Sequence, residues 1–491
     1  MHKISIYTAL MLWSVSMAWA GQLTVIVAVD GLDGSSLEEM QPYWQLGGLR
    51  TITEEGSAAA VNFDHWLYGG EESLATMLTG CNPATHGVSM NYIFSPDDRK
   101  THPLFLNNKQ MGIGTDESYS PEPLMAWTIA DRFRLRNPSA RVYGIGITPA
   151  ATMVLGGRSA NACAWMGQTN PTDSLHWVST LYYKEGLPTA ALRMNTDGSF
   201  SRIANREWTP RMEINAYNHP TDEEKNKPFA YKGQDILTSS PMANALVVEL
   251  ALAIQKDKQL GVSRSDMLML QMTAVTPRTT ASFIASAEQE DMYLRLNQDL
   301  GYLMEQLEKR VGKEHIRFVV MGIPRVGVDK KRLEELNLPV RTFNLDRAIA
   351  LTSTFLMALY EHERWVDGGC AQAIYLNREL IAQKKLSLEQ MRRQVADFLM
   401  EFEGVRFACP ANEAYLHPEM FKSIHKRFAG DVVFTLQPDY QLITTGYSAS
   451  GQETEIVLDA LLDDRLTTPV LFWPAQSVNP LIPSTDLINY L

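Results

Sequence analysis

The sequence predicts a doubly wound α/β fold, a mostly parallel sheet flanked by helices with inserted cap segments, and three observations carry that prediction. Gln22–Val29 (QLTVIVAV) is a near-continuous β-branched run that ends at Asp30-Gly31, the pattern of a strand buried on both faces. Strand and helix patterns then alternate along the chain. Finally, 491 residues with 45% hydrophobic and 20% charged side chains can build a large core, which excludes a disordered, collagen-like or coiled-coil chain.

Taken in order, helical patterns cover Ser36–Glu55 and Glu71–Leu78, and Met125–Leu135 leads into a strand at Val142–Ile147. Met267–Met272 and Ile316–Met321 read as further strands, separated by a long amphipathic helix at Ala287–Arg310. From about 165 to 241 aromatic, Asn and Pro residues rise and periodicity fades, which predicts a cap inserted over the sheet. A second insertion, about 329 to 434, carries helical patterns at Leu345–Glu361 and Leu388–Met400 and short strands at Ala373–Tyr375 and Arg406–Ala408. Thr468–Trp473 returns to the main sheet. An α/β fold places its chemistry at the C-terminal ends of such strands, so Asp30 is the first side chain to weigh.

The first twenty residues have a basic start at Lys3, an apolar stretch from Ile6 to about Met17 and the small-x-small ending Ala18-Trp19-Ala20. They predict a cleaved export signal and not an anchor, because the stretch is shorter than the roughly 20 residues that span a bilayer. Gly21 offers no lipoprotein cysteine, and no later segment is long and apolar enough to span. The expected location is therefore an exported compartment, most simply a periplasm, for a domain running from 21 to 491. Forty-four Lys and Arg against 56 Asp and Glu give a net charge of −12, which excludes general nucleic-acid binding. Cys81, Cys163, Cys370 and Cys409 lack CxxC spacing and read either as buried apolar residues or as one or two disulfides.

Five stretches carry a family likeness: Val27–Gly31 (VAVDG), Leu78–Val88 (LTGCNPATHGV), Val142–Ile147 (VYGIGI), Asp291–Leu296 (DMYLRL) and Gly430–Phe434 (GDVVF). In that order, over about residues 23 to 473, they resemble the alkaline phosphatase superfamily, most closely its monomeric phosphate-irrepressible bacterial alkaline phosphatases. The resemblance implies hydrolysis of phosphate esters by a Thr or Ser nucleophile beside two zinc ions held by Asp and His. Two cations would bind the attacking and leaving oxygens and stabilise an in-line displacement.

Carried over position by position, the family pattern is degenerate in this chain. Asp30 matches the first metal-binding Asp. The nucleophile falls on Gly70, the Asp-x-x-x-His ligand pair on Ala274 and Arg278, the next Asp-His pair on Ile323 and Pro324, and the last His on Gly446. Asn91 matches the Asn that follows the His-Gly motif, whereas the phosphate-binding Lys-x-Arg is replaced by Thr148-Pro149-Ala150. One carboxylate cannot hold two dications, so no cofactor is expected. Two zinc ions return only if the register is wrong.

Each of these residues has a plainer reading. Asp30 is either a retained ligand or the cap of the following turn, and Asn91 either a phosphate contact or a turn residue. Arg278 is either a guanidinium paired with Asp30 in a vacated metal pocket or a solvated surface residue. Glu71 and Glu72 are either ligands of a different metal or helix N-terminal charges. His86 reads as a packing and hydrogen-bonding residue. The Asp98-x-x-x-His102 spacing in a polar loop is read as chance, Gly156-Gly157-Arg158 lacks the Lys of a P-loop, and the aromatic clusters His65–Tyr68 and Trp177–Tyr183 are either ligand platforms or core. The expectation is an exported protein of this fold that has lost nucleophile and bimetal site and serves as a binding or scaffold component with an envelope protein partner. The alternatives are an active metal-dependent phosphatase or phosphodiesterase, and a small-molecule or glycan binder using Asn91 and Arg278.

Overall fold

The computed structural model describes residues 21–67, 70–170, 172–278, 284–325, 337–437, 439–447, 453–458 and 467–491. The predicted export signal, residues 1–20, lies outside them. A ten-stranded mixed sheet forms the centre, with Leu23–Asp30 lying between Ile316–Ile323 and Asp266–Thr273 and parallel to both. Val142–Ile145 and Ala162–Gly167 extend the parallel part beyond Asp266–Thr273, and antiparallel strands close both sides. The predicted α/β class is the observed one. Leu23 through Val29 are all buried, because both faces of this strand meet apolar layers. That is why its sequence shows no alternation.

The predicted helix Ser36–Glu55 is in fact two, Gly34–Met40 and Gly48–Glu55, joined by a 3-10 turn at Gln41–Tyr43. Pro42 cannot extend a helix, and Gly47 (φ +96°) and Gly48 (φ +56°) turn the chain. At Gly48 a Cβ would stand 2.0 Å from the Asn297 carbonyl oxygen, so the second helix lies against Ala287–Val311 by backbone approach. Among the described residues no helix is long and apolar enough to cross a membrane. All four cysteines are free, so the disulfide alternative is not realised.

The head of the long helix Ala287–Val311 explains the DMYLRL stretch. The Asp291 carboxylate, fully buried, accepts from Trp208 Nε1 (2.7 Å), Tyr217 Oη (2.8 Å), the Arg211 amide (3.0 Å) and Arg295 Nε (2.5 Å). Glu290 accepts from the amides of Asn218 and His219, and Glu224 from the amides of Ala287 and Glu288 that open the helix. Carboxylates complement the helix N-terminus and saturate its free N–H groups. Residues 208–224 are thereby stitched to the main body.

A second body of structure lies in residues 341–458. It contains a four-stranded antiparallel sheet (Val366–Cys370, Ala373–Leu376, Val432–Leu436, Val405–Pro410) and a three-stranded one (Arg341–Asn344, Tyr440–Tyr447, Glu453–Leu458), with a core of its own. Replacing Asp291 by Ala leaves the buried indole, phenol and amide donors unpaired. It should cost about 3–5 kcal/mol, read as a lower urea midpoint.

Candidate functional site

Three parallel strand ends place the candidate residues. Asp30 is level with Ile323 on one side and Thr273 on the other. The Ala274 amide donates to the Asp30 carbonyl oxygen (2.8 Å), and the Gly31 amide to that of Ile323 (2.9 Å). Asp30, Ala274, Ile323 and Pro324 therefore occupy adjacent positions on one sheet edge.

Gly70 caps the helix Glu71–Thr79, its carbonyl accepting from the Leu74 amide (3.0 Å) and the Ser73 hydroxyl (2.6 Å). Its φ of −97° suits any residue, so conformation is not what asks for glycine. Space is: a Cβ here would stand 2.6 Å from Ile323 Cγ2. Glu71 follows, half-buried and close enough to Asp30 for their charges to interact. Burial pushes the Glu71 carboxyl up, the Asp30 charge adds to this, and a hydrogen bond from Asn91 pulls the other way. Asn91 Oδ1 is itself buried with no hydrogen-bond partner among the described residues.

The cation beside Asp30 is Arg325, with Nε 3.4 Å from Asp30 Oδ1. Arg278, expected there as one alternative, is elsewhere. Its guanidinium lies 3.4 Å from Glu223 and 4.0 Å from Glu288, over the Tyr231 ring at 5.5 Å. Acidic and aromatic groups at the head of the long helix hold it there. Thr148 and Ala150 are two strands away from Asp30, where Gln271 Oε1 accepts from the amides of Ile147 (2.9 Å) and Thr148 (3.0 Å). Gly446 belongs to the separate three-stranded sheet, packed on Ile456.

Behind this edge, Thr76 Oγ1 meets His86 Nε2 (3.0 Å) and His65 Nε2 (3.3 Å) and donates to the Glu72 carbonyl (2.8 Å). The Val88 amide donates to His86 Nδ1 (3.1 Å), so His86 is neutral with its proton on Nε2. Asp98 and His102 form a hydrogen bond of 2.6 Å across the Tyr92–Ser95/Lys100–Pro103 hairpin. Among the described residues no three His, Cys, Asp or Glu side chains are grouped so as to hold a metal ion.

Residues 24–459 match the type I phosphodiesterase / nucleotide pyrophosphatase family. The chain belongs to that family. It is 21% identical over 429 residues to the alkaline phosphatase PafA of Elizabethkingia meningoseptica, covering 82% of this chain and 78% of that one. With the alkaline phosphatase PhoK of a Sphingomonas species it shares 24% over 490 residues, 92% of this chain and 83% of the relative. The crystal structure of wild-type PafA superposes with a TM-score of 0.78 at 18% identity, covering 95% of this chain and 94% of that one, and thus shares the fold. The chain is a member of the alkaline phosphatase superfamily with bacterial alkaline phosphatases among its relatives.

Within this family fold, sequence reasoning missed Arg325. The sequence signal was limited to Arg325 following the end of an apolar strand, because which strand lies beside Asp30 is set by the order of strands in the sheet.

Two outcomes follow from this packing. Gly70→Ser should destabilise by about 1–3 kcal/mol through overpacking, and Ile323→Ala should remove most of that penalty, as a double-mutant cycle in urea would read. Burial holds the His86 imidazole well below its ordinary 6.5, aided by His65 and His425. The unfolded chain therefore takes up this proton first, and the His86 contribution is complete above about pH 6.5 and lost below it. The thermal midpoint of the wild type should fall relative to that of His86→Gln as pH drops from 7.5 to 5.

Proposed function

We propose that this chain is a non-catalytic member of its family, an exported binding or scaffold component of the cell envelope. The observation that carries the reading is Gly70. Covalent phosphoryl transfer needs a hydroxyl on a residue at the nucleophile position, and the volume such a side chain would take lies against the Ile323 methyl group.

The electrostatics support the same reading. Two zinc ions need several carboxylate and imidazole donors in tetrahedral reach. Ala274, Ile323 and Pro324 supply no side-chain donor, and the group next to Asp30 is a guanidinium. On this reading the bimetal pair does not fit the residues at the strand ends, and no reaction step is assigned to it. Fold kinship with phosphatases does not by itself transfer their chemistry.

Protein purified without chelator should contain far less than one zinc per chain and show no turnover of p-nitrophenyl phosphate or bis-p-nitrophenyl phosphate above a heat-denatured control. Stoichiometric zinc together with turnover would overturn the proposal.

A further inference from the structure

Large apolar side chains are left in water on both flanks of the short helix Pro83–His86. On one flank, Tyr415, Leu416 and Phe421 are 62%, 60% and 56% exposed. They lie in a 3-10 turn (Ala411–Leu416) and a helix (Pro418–Ser423), and that helix packs on Pro83–His86. On the other flank stand Met125 and Trp127, 39% and 58% exposed. The Met125 amide donates to the His86 carbonyl oxygen (2.8 Å), and a Cβ at Gly87 would meet Met125 Cγ at 2.8 Å. Thr85 is exposed on the helix between them. Single apolar residues are ordinary on a surface, but a group of them around one helical turn marks an interaction face.

The backbone under this face is fixed. Met420 is buried with its Sδ 3.5 Å from Cys409 Sγ, the Ser423 hydroxyl accepts from the Trp66 amide (2.7 Å), and Lys422 pairs with Asp64 (2.5 Å). Tyr415, Leu416 and Phe421 are thus exposed on an anchored segment.

Charge decides what covers such a face. Arg158 donates to the Leu124 carbonyl through Nε (3.0 Å) and Nη2 (2.6 Å), and Arg132 Nη2 to the Thr79 carbonyl (2.7 Å). Both guanidiniums therefore bind neutral oxygens. Lys426 and Arg427 are exposed, with Arg427 over the Phe428 ring at 5.6 Å. Among the described residues the nearby ion pairs are Lys422–Asp64 and Arg393–Glu413 (2.9 Å), which use none of these four cations. The carboxylates closest in the chain to Met125 and Trp127 are engaged elsewhere: Asp131 accepts from the Thr128 and Arg158 amides, and Glu122 from Asn107. Residues 415–427 carry three basic residues against one acid, Glu419. On a chain of net charge −12 this is a local surplus of positive charge beside exposed aromatic and aliphatic groups. Trp and Tyr settle at the headgroup level of a bilayer, and Lys and Arg beside them are drawn to anionic lipid.

We propose that this face seats the protein on an anionic lipid surface. Trp127, Tyr415, Leu416 and Phe421 enter the headgroup region, and Arg132, Arg158, Lys426 and Arg427 meet the lipid phosphates. No strand-end residue takes part, so the face is the same whether or not the chain hydrolyses phosphate esters.

The test is co-sedimentation of the full chain with vesicles of phosphatidylcholine alone and of equimolar phosphatidylcholine and phosphatidylglycerol. Wild type should partition onto the mixed vesicles about tenfold more strongly, and added salt should shrink that preference. Trp127→Ser combined with Phe421→Ser should weaken binding about tenfold at unchanged charge. Lys426→Glu combined with Arg427→Glu should remove the preference for phosphatidylglycerol. Residues 1–20 are common to all variants, so a contribution from them is shared by every comparison. Far-UV circular dichroism identifies a variant that has not folded, and Lys426→Gln with Arg427→Gln then replaces the charge-reversed pair with the same direction expected. Equal partitioning of wild type onto the two vesicles overturns the inference, as do variants that bind as wild type does. A wild-type dimer in sedimentation velocity that the Trp127→Ser, Phe421→Ser variant dissociates, with no preference between vesicles, assigns the face to a second copy and overturns it equally.

Discussion

The whole candidate site depends on the register of three parallel strands. Leu23–Asp30 is held between Asp266–Thr273 and Ile316–Ile323 by ladders that run its full length, so the three strands end together. Parallel strands pair this way only when both sheet faces are covered, and here two apolar layers cover them. A slip by one residue would send Val25, Val27 and Val29 into the opposite layer and move Asp30 off its edge. The position of one carboxylate is therefore guaranteed by the burial of a whole strand.

Charge is distributed to serve the same framework. The net −12 suggests a surface of carboxylates, yet several acidic groups are interior fasteners. Glu224, Glu288, Glu290 and Asp291 are each almost wholly buried at the head of one helix, where they accept from amides, an indole, phenols and a guanidinium. Arg278 is drawn into that cluster through Glu288 and Glu223. An arginine has one guanidinium, and the acids nearest to it decide which pocket it serves. Asp30 is left to the next cation along its own sheet edge, Arg325.

Much of the fold was legible because burial leaves a mark on sequence. Continuous apolar runs gave the parallel strands within a residue or two, and the amphipathic run Ala287–Arg310 ends one residue short of the observed helix. The break inside Ser36–Glu55 was harder to read, since it depends on Gly48 meeting the Asn297 backbone, a contact 249 positions away in the chain. The candidate site was legible where it follows strand ends: Asp30, Ala274, Ile323 and Pro324 are neighbours because the strands are. Arg278 was misleading for the opposite reason. A long side chain has many possible partners, and backbone position does not select among them. The placing of Glu71 near Asp30 and Asn91 is likewise a tertiary arrangement that no local spacing encodes.

Gly70 and Ile323 bear on how such a site changes. The isoleucine methyl sits where a side chain at position 70 would begin, so space and not backbone conformation calls for the glycine. Interiors are packed densely enough that neither change is neutral alone: a hydroxyl residue at 70 meets the methyl, and a smaller residue at 323 leaves a void. Arg325 adds an electrostatic condition to the steric one, since its guanidinium places a positive charge 3.4 Å from Asp30 Oδ1. Gly70, Ile323 and Arg325 thus meet from two elements, the cap of one helix and the end of one strand with the residues that follow it. Each part of this arrangement fills space or balances charge beside another, so a change at one is felt at its neighbour.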